Sequence, residues 1–88
     1  MDNQFTIIGH LVKEPIEIID SNEVELVIED KRGNIVNVLA DNGLAQNTIK
    51  HFTLLAPIGA KGFVGTNNRL IAEKIAFLKV EEKWKKKL

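Results

Sequence analysis

The stretch Ile35-Val36-Asn37-Val38-Leu39-Ala40-Asp41-Asn42-Gly43-Leu44-Ala45-Gln46-Asn47-Thr48-Ile49-Lys50-His51-Phe52 changes its period half-way. Residues 35–40 are apolar except for Asn37, and Ile35, Val36 and Val38 are β-branched, as suits a strand. Asp41 or Asn42 then offers a short side-chain oxygen to a free N–H of a first helical turn. Ala45, Ile49 and Phe52 follow at spacings of four and three, which predicts a helix of two or three turns over 43–52. Upstream, Glu23-Val24-Glu25-Leu26-Val27-Ile28-Glu29 alternates, with Val24, Leu26 and Ile28 facing inward and three glutamates facing water. Asp30-Lys31-Arg32-Gly33-Asn34 joins these two strands as a polar hairpin loop. Further back, Phe5, Ile7 and Leu11 share one face of a first strand. Gly9 between them marks a bend or a close backbone approach. Pro15 breaks that strand, Ile16 to Ile19 are read as its continuation, and Ser21-Asn22 is a turn. Downstream of the helix, residues 54–64 return to strand character, with Pro57 arguing for an edge or a start and Gly59 and Gly62 for bulging. After the turn Gly65-Thr66-Asn67-Asn68, Arg69 to Val80 reads as the last strand, with Leu70, Ala72, Ala76 and Leu78 on one face.

The order is three strands, a short helix and two strands. It predicts an all-β domain, a five-stranded Greek-key barrel of the OB type over residues 1–80, with its helix between strands 3 and 4. Residues 81–88 form a basic C-terminal tail. A chain of 88 residues has room for one such domain. It has no cysteine, which excludes disulfide scaffolds and thiol chemistry. No apolar run approaches the ~20 residues of a membrane helix. Met1-Asp2-Asn3-Gln4 is not the basic start of an export signal, so a cytoplasmic location is expected.

Twelve lysines and arginines balance twelve acids, but unevenly along the chain. Residues 1–44 hold nine acids and three bases, and residues 45–88 the reverse. Such asymmetry marks a polyanion-binding face, or faces that pair in an oligomer, unless it is ordinary scatter of solvated charge.

Several segments resemble the bacterial single-stranded DNA-binding proteins. Ile7-Ile8-Gly9-His10-Leu11-Val12-Lys13-Glu14-Pro15 is similar to that family's opening, which reads apolar-Ile-Gly-Arg-Leu, two residues, Asp-Pro. Val38-Leu39-Ala40 followed by Gly43-Leu44-Ala45 resembles its third strand and helix. Ile58 to Val64 resembles its fourth strand and Ile71 to Leu78 its last. The resemblance covers residues 4–80 and extends to the small primosomal OB-fold proteins. It implies binding of single-stranded DNA by an electrostatic groove and by bases stacked on aromatics, at about 1–3 kcal/mol per base.

The departures are specific. Ile35 stands where the family has tryptophan, Asp41 where it has phenylalanine, Gly59 where strand 4 carries an aromatic, and His10 where the opening has arginine. The loop between strands 4 and 5 is reduced to Thr66-Asn67-Asn68. In place of an acidic tail the sequence reads Lys85-Lys86-Lys87-Leu88.

The candidate nucleic-acid-binding residues are therefore His10, Lys13, Lys31, Arg32, Asn37, Lys61, Phe63, Arg69, Trp84 and Lys85. The cations would meet phosphates with release of counterions; the other reading of each is solvated surface. Phe63 is either a stacking aromatic or barrel core. Trp84, set among lysines, is either part of a DNA-binding arm or packed on the barrel. Val27, Ile35 and Leu39 form an aliphatic outer surface that suits a protein contact as well as a base. The expected function is single-stranded DNA binding without sequence preference, in replication or mobile-element maintenance. The alternative is an OB-fold adaptor for a helicase, primase or polymerase. The resemblance also implies a homodimer or homotetramer, with the edge at Asn3-Gln4-Phe5-Thr6 available for pairing. His10 and His51 have no companions at metal-ligand spacing, and no catalytic motif is present, so no cofactor, metal or enzymatic activity is expected.

Overall fold

A computed structural model describes residues 3–78 of the chain; Trp84 and Lys85, and with them the expected tail, lie outside the described residues. The strands are β1 (Gln4–Leu11), β2 (Ile16–Ile18), β3 (Glu23–Asp30), β4 (Ile35–Asp41), β5 (Pro57–Val64) and β6 (Leu70–Phe77), with α1 (Asn42–Lys50) between β4 and β5. In the sheet they run β1-β5-β6-β4-β3-β2, and a second pairing of β1 with β3 closes the ring.

The break at Pro15 produces β2, which pairs with β3 through Ile16↔Glu25 and Ile18↔Glu23. β1 uses the same edge of β3 through Gly9↔Asp30 and Leu11↔Ile28. Together β1 and β2 therefore act as one interrupted first strand, and the barrel is five-stranded. β1 changes partner at Gly9, which pairs with Ile58 of β5 and with Asp30 of β3. The chains approach so closely there that a Cβ on Gly9 would stand 2.1 Å from the Glu29 carbonyl oxygen.

The interior is the alternation of β3 and β4 carried around the ring. Leu11, Val24, Leu26, Ile28, Val38 and Ile58 are fully buried, and Ala40, Ala45, Ala60 and Ala72 fill the gaps between them. Each such Leu, Ile or Val contributes roughly 1.5–3 kcal/mol relative to exposure. Phe5, Phe52 and Phe77 pack against this core partly buried. Helix α1 starts where Asp41 Oδ2 accepts the Leu44 N–H at 3.3 Å, and it buries Ala45 and Thr48 against the barrel. No helix among the described residues is long and apolar enough to cross a membrane.

Three expectations about the second half need correction. The strand expected from residue 54 begins at Pro57. Leu54 and Leu55 are exposed, and Leu55 takes a left-handed φ of 66° that lets its N–H reach the Leu11 carbonyl at 2.8 Å. The last strand, expected over 69–80, is described as Leu70–Phe77. Its apolar residues do not share one face. Gly62 pairs with Ala72 but Lys61 with Lys74, leaving Glu73 as an extra residue. Leu70 and Ala72 therefore face the interior, then Ile75 and Phe77 do, while Ala76 and Leu78 are exposed. The bulge sits where β6 presses on Gly62, at which a Cβ would fall 1.9 Å from the Ile71 carbonyl oxygen.

Candidate nucleic-acid interface

The outer face of β3 and β4 is set by their register. Glu23↔Asp41, Glu25↔Leu39, Val27↔Asn37 and Glu29↔Ile35 all point away from the core. Val27 and Leu39 lie in the middle of this face yet are only 8% and 6% exposed, so they offer little contact area; Ile35, at 56%, is open. Asn37 donates from Nδ2 to Glu25 Oε2 at 2.8 Å. His10 crosses from β1 to meet Glu29, Nε2 to Oε1 at 3.1 Å. The face thus carries acids along its length, with Glu23 and Asp41 at one end, Glu29 at the other and Glu25 between.

Cations stand at the rim. Lys31 and Arg32 occupy the β3–β4 hairpin, which folds around Asp30. Its Oδ1 accepts the N–H groups of Arg32 and Asn34, both at 2.9 Å. These bonds, that from the Asn34 N–H first, hold the Asp30 carboxyl below the usual carboxylate range. Lys13 lies in the segment between β1 and β2. Arg69 follows the tight turn Thr66–Asn68 and immediately precedes Leu70, the partner of Val38 on β4. Phe63, at 41% exposure, stands on the outer surface of β5 opposite Ile71. Ile71 in turn pairs with Leu39, so Phe63, Ile71, Leu39 and Glu25 form one row across four strands.

Lys61 is placed elsewhere. It sits mid-strand on β5 between Thr6 and Lys74, on the β1–β5–β6 side of the barrel rather than at a loop beside β3 and β4. A groove of about 500 Å³ opens on that side, with Ile8, Gly59, Ala76 and Leu78 in its wall. Among the described residues no group of three or more His, Cys, Asp or Glu side chains is arranged to hold a metal ion.

The pairs His10–Glu29 and Asn37–Glu25 were missed by sequence reasoning, which took the glutamates as a solvated face. The alternation did place those glutamates on one side. The register adds that Glu29 stands opposite Ile35 and Glu25 opposite Leu39.

The same barrel recurs in solved structures. A mitochondrial single-stranded DNA-binding protein of S. cerevisiae superposes with a TM-score of 0.73 at 20% identity, over 92% of this chain and 100% of its own. The fold is an OB-fold. The small single-stranded DNA-binding protein of Streptomyces coelicolor gives a TM-score of 0.67 at 17% identity, over 89% of this OB barrel and 93% of its own chain. The N-terminal domain of PriB from Thermoanaerobacter tencongensis, solved as a dimer, gives 0.66 at 11%, over 89% and 98%. The neighbours are OB-fold proteins of the single-stranded-DNA-binding type, and at these identities the likeness is one of fold. No protein-family profile matches the sequence, and no curated protein matches it.

Proposed function

We propose that this OB-fold protein binds single-stranded DNA, without sequence preference, in replication or mobile-element maintenance in the cytoplasm, and that it is not an enzyme. The observation that carries the reading is Phe63. It is the exposed member of the four phenylalanines, on a barrel of the type found in proteins named for single-stranded DNA. A base stacked there, with phosphates on Arg69, Lys31, Arg32 and Lys13, needs no base-specific contact. The Greek-key path, the domain limit at residue 80 and a DNA-contacting tail with Trp84 and Lys85 belong to the same proposal. So does a homodimer or homotetramer. Along Gln4–Ile8 the far edge of β1 has no strand partner among the described residues, and the PriB neighbour is dimeric.

A second reading has its own support. The carboxylates of the β3–β4 face repel phosphate, and Ile35 is exposed among them. That favours an adaptor contacting a replication protein through Ile35, with Val27 and Leu39 contributing only their small exposed fraction.

Titration with labelled oligo-dT at low and moderate salt, with duplex as control, separates the two. With four rim cations engaged, log K should fall with log salt at a slope of about −3. Absence of binding at low salt would overturn the DNA reading in favour of the adaptor.

A further inference from the structure

We propose that the outer face of β3 and β4 is the docking surface for the chain's own basic C-terminal segment, Lys83-Trp84-Lys85-Lys86-Lys87-Leu88. The face combines an open apolar side chain, Ile35, with Glu23, Glu25, Glu29 and Asp41. The ion-pair contact found on it among the described residues is His10–Glu29, and no described lysine or arginine lies within ion-pair distance of the other three. The complementary chemistry is in the sequence beyond Leu78, where four lysines surround the sole tryptophan.

Reach and charge select this face. The Leu78 N–H donates to the Pro57 carbonyl at 3.0 Å, Pro57 pairs with His10, and His10 pairs with Glu29. At about 4.8 Å per strand, three steps bring Leu78 within about 14 Å of Glu29 along the sheet. An extended chain covers about 3.3 Å per residue, so Lys83 can span about 16 Å from Leu78 and Lys87 about 30 Å. Glu29 to Glu23 is a further ~20 Å along β3, so the lysines can follow the carboxylates strand-wise. The groove where the chain leaves β6 is less favourable: Lys61 and Lys74 stand opposite each other there, against the single carboxylate of Glu73. Docking sets the lysines against the carboxylates and brings Trp84 to Ile35. This does not depend on DNA binding, and its test uses no DNA.

Trp84 is the only tryptophan, so fluorescence of the intact protein reports the segment directly. Shielding from acrylamide, a neutral quencher, is measured at about 0.01 M and about 1 M salt, where the Debye length shrinks from ~30 Å to ~3 Å. The expected result is shielding at low salt that is lost at high salt. The triple variant Glu23→Gln, Glu25→Gln, Glu29→Gln should lose it at low salt. Glu14→Gln with Glu17→Gln, a control off this face, should keep it. The reciprocal variant Lys85→Gln, Lys86→Gln, Lys87→Gln alters no barrel residue, so its loss of shielding cannot come from misfolding. Shielding that survives both salt and the triple variant would place Trp84 elsewhere and overturn the proposal. Absence of shielding in the wild type would do the same. Loss of shielding on dilution at constant low salt would assign the segment to a second copy and overturn docking within one chain.

Discussion

Replacing Gly9 by alanine should cost this barrel far more than the same change at Gly59. A Cβ at Gly9 would stand 2.1 Å from the Glu29 carbonyl oxygen, 2.8 Å from its carbon and 2.9 Å from Ile28 Cγ2. Two of these atoms are backbone, so relief requires β1 and β3 to separate at the point where they close the ring. Overpacking of this kind costs about 1–3 kcal/mol and more where backbone must move, so ~3 kcal/mol is the expectation. Lower entropy of the unfolded chain returns about 0.4–1 kcal/mol, leaving a net loss near 2 kcal/mol or above. For a domain of this size that is a fall in Tm of about 8–16 °C. The control is Gly59→Ala on the adjacent strand, whose added Cβ would find its neighbours at 3.7–3.9 Å. It should lie within about 1 kcal/mol of wild type, on the stabilised side if anywhere. Thermal and urea unfolding followed by far-UV circular dichroism gives both numbers. A Gly9→Ala protein that melts at or above Gly59→Ala would refute the account of ring closure.

Three further outcomes follow from the site and its supports. Phe63→Ala should weaken oligo-dT binding by about 1–3 kcal/mol with unfolding unchanged, measured by anisotropy beside a melt; equal affinity would remove Phe63 from the interface. Asp41→Ala removes the acceptor for the Leu44 N–H and should destabilise by about 1 kcal/mol, or ~4–8 °C in Tm. The Asp30 carboxyl is held low mainly by the Asn34 N–H, so its contribution to stability is complete above the unfolded value of about 3.9 and is lost as pH falls through the lower folded value. An NMR titration should place its midpoint below that of a free aspartate, and Asp30→Asn should erase this part of the acid limb.

How much of this was legible in the sequence depended on whether one strand or two decided the matter. β3, β4 and α1 were readable because alternation, a hairpin and a cap are local: Val24, Leu26 and Ile28 point inward wherever β3 lies. Gly9 was readable as a close approach, though not what approached it. The faces of β6 were not readable. Inserting Glu73 against β5 inverts every later residue, and the cause is the fit of β6 against Gly62 on another strand. The surroundings of Lys61 were not readable for a related reason, since a side chain's position on a closed ring depends on the neighbours of its strand. The glutamates illustrate the third case. Their outward direction was plain, but that Glu29 meets His10 and Glu25 meets Asn37 follows from a register no single segment contains.

The ring is not equally strong around its circumference. β6 is matched to β5 along its length, from Ile58↔Phe77 to Val64↔Leu70, but it meets β4 in parallel only at Val38↔Leu70 and Leu39↔Ile71. Helix α1 packs on β6, β4 and β3, and so touches the strands on both sides of this short seam. The helix therefore works as a clasp, and its loosening and the parting of β4 from β6 are one event. In native-state hydrogen exchange the amides of α1 and those along the seam would form a single cooperative unit, opening at lower free energy than the β3–β4 hairpin. The barrel would unroll from that slit into a curved open sheet, its antiparallel pairs still zipped, well before the chain as a whole comes apart.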